Sequence, residues 1–255
     1  MDFIYALVFG VVEGLTEFLP ISSTGHLILT AKVLGLTQTD FLKSFEIAIQ
    51  LGAILAVVIL YWRRLLVDIE VLKRVLIAFV PTAILGAILY KIIKKVLLNS
   101  YEVVLWSLLW GGILLIVFEY FHREKDTDID DLKQIPYSKA FMIGIFQSLA
   151  MVPGVSRAAA TIVGGLILGL TRKAVVEFSF LLAVPTMLAA TALDLLKSAH
   201  EFSSGQMEFL LIGFVSAFAV AVLSIKFLLH FVKNHTFIGF GVYRVLVAVF
   251  FFLKK

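Results

Sequence analysis

Six stretches of this sequence, near 44–62, 75–92, 101–122, 174–197, 207–232 and 237–253, are apolar for long enough to cross a bilayer, which takes ~20 predominantly apolar residues per helix. No other feature constrains the fold as tightly. In hydrocarbon every backbone N–H and C=O has to be paired inside the protein, so spans of this length become helices. Only 16% of the 255 residues are charged and the mean hydropathy is +1.02, against about 25% charged residues in a soluble domain. The expectation is an all-α, multi-pass protein forming a single integral membrane domain over 1–255. The start, Met1-Asp2-Phe3-Ile4, has no basic segment or small-residue cleavage site and reads as mature sequence.

Two further apolar stretches, 3–35 and 138–170, are interrupted. The first breaks at Pro20 and the run Ser22-Ser23-Thr24-Gly25-His26, the second at Pro153-Gly154-Val155-Ser156-Arg157. Each piece beside a break is short for a span. A re-entrant helix-loop-helix hairpin fits better, because irregular backbone at membrane depth is tolerated where protein or a wet cavity satisfies it. The order is then hairpin and three spans, followed by hairpin and three spans. The halves echo each other: Gly10-Val11-Val12-Glu13 aligns with Gly144-Ile145-Phe146-Gln147, and Phe45 and Gly52 align with Phe178 and Pro185. A first repeat over about 1–122 and a second over about 138–255 follow. Three spans per half invert the second repeat, an arrangement that puts binding sites near the midplane at discontinuous helices.

Lysine and arginine set the orientation. Arg63, Arg64, Lys73 and Arg74 share one loop, Arg123, Lys125, Lys133 and Lys139 a second, and Arg172-Lys173 a third. Alternating spans put all three on one side, read as cytoplasmic. Lys91, Lys94 and Lys95 fall on the other side and oppose the bias. The acidic run from Glu124 to Asp131 reads as a solvated loop. The net charge of +4 suits anionic membrane lipid, and with no basic helix outside the apolar runs a nucleic-acid partner is not expected. There are no cysteines, which excludes thiolate chemistry and disulfides.

Glu13 and Glu17 lie four residues apart on one helix face, inside an apolar run where each charge costs at least ~2.5–3.5 kcal/mol. They need a cation, a proton or a metal. The hydroxyls after Pro20 can cap a helix starting near Leu27, whose free N–H groups and dipole favour an anion. His26 beside them can act as an acid, a nucleophile or an orienting group. In the second hairpin Arg157 suits bidentate phosphate binding, with Glu13, Glu17 or a bound phosphate as its partner. Gln147 and Met151 stand where the first half has Glu13 and Glu17, so the acids come from one half and the arginine from the other. Gln50 lies mid-span, able to bond a neighbouring helix or line the cavity. Glu119, Glu177 and Asp194 read as interfacial, and Arg244 as the partner of a buried acid. Gly111-Gly112 and Gly164-Gly165 read as points of close helix approach.

The stretch Glu13-Gly14-Leu15-Thr16-Glu17-Phe18-Leu19-Pro20-Ile21-Ser22-Ser23-Thr24-Gly25-His26 resembles the first signature of the bacitracin-resistance type undecaprenyl pyrophosphate phosphatases, and Pro153-Gly154-Val155-Ser156-Arg157 resembles their second. Ile49-Gln50-Leu51-Gly52-Ala53-Ile54-Leu55-Ala56 and Glu177-Phe178-Ser179-Phe180 fit the same family. Ala158-Ala159 depart from it, standing where a Ser-Gly pair is usual. The resemblance implies a bacterial inner-membrane hydrolase that removes the terminal phosphate of undecaprenyl pyrophosphate, with its site facing the outer side and a divalent cation, Mg or Ca, as cofactor. It implies catalytic roles for Glu13, Glu17, Ser23, His26 and Arg157, with Glu17 and Glu13 able to hold the cation. Ser22, Thr24, Gly25, Gly154, Ser156 and Gln50 would contact substrate. The expected chemistry has Ser23 as nucleophile, His26 as proton carrier and Glu17, with Glu13, as base or cation ligand; attack by water with Ser23 as a ligand stays open. A homodimer is compatible with the sequence, which does not fix the oligomeric state. A transporter of a lipid phosphate competes, since inverted repeats with broken helices also build transporters. A type-2 phosphatidic acid phosphatase is disfavoured, because its lysine-led upstream motif is missing.

Overall fold

The computed structural model describes residues 2–37, 39–92, 100–198 and 207–254. Lys94 and Lys95, and the side chains of Lys91 and Asp194, lie outside the described residues. The protein is all-helical, in the order α1 (Phe3–Thr16), α2 (Ser23–Val33), α3 (Asp40–Leu66), α4 (Ile69–Ile92), α5 (Tyr101–Phe121), α6 (Tyr137–Ser148), α7 (Arg157–Ile167), α8 (Arg172–Ser198), α9 (Met207–Phe231) and α10 (Ile238–Leu253). Five of these, α3, α4, α5, α8 and α9, are long and apolar enough to cross a membrane. The sixth expected span is α10, whose 16 residues rise about 24 Å, short of a ~30 Å hydrocarbon core. Both interrupted stretches fold as short helix, loop and short helix.

Apolar side chains face outward along the long helices, as lipid contact requires. Leu76, Val80, Ile84 and Ile88 on α4 repeat every fourth residue and are all exposed, as are Trp106, Trp110, Leu114 and Val117 on α5. The phenylalanines divide. Phe9, Phe18, Phe45, Phe178, Phe180 and Phe237 are fully buried, while Phe121, Phe227 and Phe250 face outward. Pro81 and Pro185 sit inside α4 and α8, a placement membrane helices tolerate because neighbours satisfy the freed carbonyls.

The packing exchanges partners between the two halves of the chain. α1 lies along α9, and α6 lies along α4; α3 and α8 touch each other, and α5 packs on α10. Glycines allow the close approaches. A Cβ on Gly10 or Gly14 of α1 would run into the α9 backbone, and one on Gly144 of α6 into the Ala78 carbonyl of α4. Gly112 faces the Gly241 carbonyl between α5 and α10, while Gly164 and Gly165 face Phe146 and Val175.

The three basic loops meet at one end of the molecule. Arg74 Nε donates to the Ile135 carbonyl at 2.6 Å, Lys133 pairs with Asp68 at 2.9 Å, and Arg172 pairs with Glu124 at 2.9 Å. Ile129 bridges Leu170 there. Glu119, near the end of α5, has a fully buried side chain that pairs with Arg172 at 2.8 Å. Arg172 opens α8 and reaches back to cover it, so the acid is compensated by a helix start the sequence order does not bring near it. Glu177 is half-buried.

Candidate active site

α1 ends at Thr16 and α2 begins at Ser23, four residues before the expected start near Leu27. The reason is the cap: Ser22 adopts φ 74°, and its hydroxyl accepts from the Gly25 N–H at 3.4 Å. Ser156 does the same in the second loop, with φ 77° and its hydroxyl accepting from the Ala159 N–H at 3.2 Å. Both are non-glycine residues in left-handed backbone, a conformation held only where the surroundings over-determine it. Each cap is followed at once by a chemistry-bearing residue, Ser23 in the first loop and Arg157 in the second. Gly154, at φ 91°, has no room for a side chain, since a Cβ would lie 2.7 Å from the Val104 carbonyl.

The loops bring their residues together. Arg157 Nη2 lies 3.2 Å and Nε 3.4 Å from the same oxygen, Glu17 Oε1. The other oxygen, Oε2, accepts a short hydrogen bond from the Ser23 hydroxyl. Glu17 and Arg157 are nearly buried, with side chains 7% and 10% exposed. Arg157 Nη1 donates to the Ser179 carbonyl at 2.7 Å, and the Ser179 hydroxyl pairs with Thr161 at 2.6 Å. The guanidinium is thus aimed by α8 at the first loop. Phe18 lies beneath it, 5.9 Å from the ring centroid, and packs edge-on against Phe180.

Glu13 is fully buried, and among the described residues no N–H or O–H group donates to either carboxylate oxygen. Glu17 and Glu46 are both within electrostatic reach of it. A buried carboxylate without donors demands a proton or a cation. Oxygen-only donors suit Mg or Ca. Among the described residues no group of three or more His, Cys, Asp or Glu is arranged to hold a metal. Two carboxylates would therefore supply part of a shell, as at Mg sites completed by phosphate and water. The donor set fits the expected cation on those terms.

His26 is buried with both ring nitrogens engaged. Nδ1 donates to the Ser22 carbonyl at 2.8 Å, and Nε2 pairs with the Tyr243 hydroxyl at 2.9 Å. The two rings stack at 5.5 Å. Among the described residues no hydrogen bond joins His26 to Ser23, whose hydroxyl is bonded to Glu17. Thr24 and Gln50 are half-buried, and among the described residues no hydrogen bond joins either to the site. Gln147, the counterpart of Glu13, donates to Thr82 and Thr186 at 2.8 and 3.0 Å, away from Arg157.

Arg244 overturns the expectation of a buried acid partner. It is fully buried, and its guanidinium donates to four backbone carbonyls: Pro20 at 3.2 Å, Val155 at 3.0 Å, Ser107 at 3.0 Å and Gly154 at 2.9 Å. Pro20, Gly154 and Val155 lie in the breaks, where carbonyls lack intrahelical donors, and with the Ser107 carbonyl of α5 they take the place of a carboxylate. Tyr243 and Ser179 were not singled out as site residues from the sequence. Ser179 sits within a motif stretch and carried a signal; Tyr243 sits in an apolar run and carried none.

The chain is similar to known proteins over nearly its whole length. The family described as bacitracin resistance protein BacA matches residues 6–250. The chain is similar to the undecaprenyl-diphosphatase of Sulfurihydrogenibium sp. (strain YO3AOP1), 55% identical over 253 residues and 99% of each chain. It is also similar to those of Aquifex aeolicus (strain VF5), 54% identical over 96% of this chain and 95% of the relative, and Wolinella succinogenes, 48% identical over 98% and 97%.

Proposed function

This chain belongs to the family of the bacitracin resistance protein BacA, and we propose that it is an undecaprenyl-diphosphatase. It removes the terminal phosphate of undecaprenyl diphosphate, returns undecaprenyl phosphate to peptidoglycan synthesis and so confers bacitracin tolerance. The observation that carries the chemistry is the Glu17 carboxylate, with one oxygen on the Ser23 hydroxyl and the other on Arg157.

The terminal phosphate binds between the N-termini of α2 and α7, where free N–H groups and helix dipoles favour an anion. Arg157 has five donors in a planar fork and turns part of them from Glu17 to phosphate oxygens. Ser23 Oγ attacks phosphorus as Glu17 takes its proton. The bond from phosphorus to the bridging oxygen breaks, and undecaprenyl phosphate leaves. Glu17 gives that proton up to solvent, water attacks the phosphoserine and passes a proton to Glu17, and the bond from phosphorus to Ser23 Oγ breaks, Oγ taking the proton back as inorganic phosphate is released. Catalysis of this kind rests on positioning and charge stabilisation. Glu13 and Glu17 would hold a divalent cation, which would neutralise charge on the diphosphate. His26 orients the first turn of α2 through its bond to the Ser22 carbonyl.

We read the architecture as six crossings and two re-entrant hairpins in an inverted repeat. The partner exchange of α1 with α9 and α6 with α4, and the matched conformations of Ser22 and Ser156, support that reading. The site opens to the outer side of the bacterial plasma membrane. Ser107, beside the loops, is six residues from the start of α5, about 9 Å, and fourteen from its end at the basic loops, about 21 Å. Basic loops mark the cytoplasmic face.

Phosphate release from a polyprenyl diphosphate in detergent tests the function, with wild type beside Glu17→Ala and Arg157→Ala, each with and without chelator. Release that collapses in both variants is expected. A folded wild type that releases no phosphate with several cations and lipids would instead indicate a carrier.

A further inference from the structure

We infer that Arg244 is a positioning residue: it sets the spacing between the loop that carries Ser23 and the loop that carries Arg157, without touching substrate itself. The catalytic half of this inference rests on the phosphatase reading; the clamp between the loops does not. One nitrogen, Nη1, donates both to Pro20 of the first loop and to Val155 of the second, while Nη2 donates to Gly154 of the second loop and to Ser107 of α5. A single rigid group therefore fastens both loops to each other and to a long helix. Pro20 lies two residues before the cap Ser22, and Val155 lies directly before the cap Ser156. The residues that follow the caps are Ser23 and Arg157.

Only a guanidinium meets these demands. Its planar fork reaches four acceptors at fixed angles and stays charged when buried, whereas an ammonium has three donors and no plane. The approach of α10 to α5 is prepared for it. Gly111 faces the guanidinium so closely that any Cβ there would displace it, and Gly112 lies against the Gly241 carbonyl. Next to it on α10, Tyr243 holds His26 of α2, so one turn of one helix touches both loops and the helix between them.

The test uses the full-length protein in detergent as wild type, Arg244→Gln, Arg244→Lys and Gly111→Ala, each with its melting temperature. The Gly111→Ala variant keeps the charge and moves the guanidinium, so it carries the test if Arg244→Gln fails to fold. The first readout is amide hydrogen exchange, which does not depend on activity. Exchange should rise in the loops at 18–26 and 152–160 together; a rise in one loop alone, or in neither, overturns the clamp. The second is steady-state phosphate release per folded molecule from a polyprenyl diphosphate. A fall in kcat of about 10²-fold, the scale of an ångström-level misplacement, is expected, with KM changed less than kcat. Unchanged kcat in Arg244→Lys and Gly111→Ala, or a loss that tracks only melting, would reduce Arg244 to a structural residue. Absence of release in wild type counts against the phosphatase reading alone, because the exchange readout still decides the clamp.

Discussion

Glu17 and Arg157, 140 residues apart in the chain, meet at 3.2 Å where two interrupted helices face each other. One comes from the end of α1 and the other from the start of α7, so the site exists only when the two halves dock. The pair also compensates two charges that neither half could bury alone. Breaking such a pair by removing one partner costs about 3–5 kcal/mol, because a buried charge is left behind.

Arg157→Ala should therefore lower the melting temperature as well as activity. Glu17→Gln combined with Arg157→Gln removes both charges, and should recover much of the stability without recovering phosphate release. Thermal melts and release assays on Glu17→Gln, Arg157→Gln and the double variant check this. Recovered activity in the double variant would remove both residues from the chemistry.

Ser23→Ala should lower kcat by at least about 10³-fold, the scale seen when a nucleophile is removed from a unit that acts together. Wild type quenched in acid during turnover of a substrate labelled in its terminal phosphate should carry label on Ser23. A variant that changes only KM, with no label trapped in wild type, would make Ser23 a phosphate ligand and water the nucleophile.

Glu13 gives a prediction readable without substrate. Among the described residues its oxygens have no donors in a fully buried position, and Gln at this position removes the cost of keeping an uncompensated carboxyl beside Glu17 and Glu46 without a cation. In cation-free buffer Glu13→Gln should melt higher than wild type, while needing more Mg or Ca to release phosphate. A lower melt together with unchanged cation dependence would rule out the cation role.

Helix approach can be probed away from the chemistry. A Cβ on Gly14 would sit 2.9 Å from the Ala221 nitrogen of α9, whereas one on Gly239 meets nothing within 4 Å. Gly14→Ala should destabilise by about 1–3 kcal/mol through overpacking. Gly239→Ala, in α10, should be neutral or stabilising by up to about 1 kcal/mol, from helix propensity. Equal melts for the two would mean that α1 and α9 can separate at no cost.

The sequence by itself determined the five long apolar helices, the two interruptions, and the shared helix face of Glu13 and Glu17. These are local properties. Apolar length is set against bilayer thickness, and a proline with clustered hydroxyls stops a helix wherever it stands. It also singled out Arg157, whose planar fork suits a carboxylate or a phosphate. The tertiary structure decided the partners. It joined Arg157 to Glu17, gave Arg244 four carbonyls where an acid was expected, buried Glu119 under Arg172, and set Tyr243 on His26. Such pairings span up to 224 residues and depend on which helix faces pack together. A one-dimensional pattern of hydropathy says where the apolar helices lie, but hydrogen-bond partners follow from distances of 3 Å that only the packed bundle fixes.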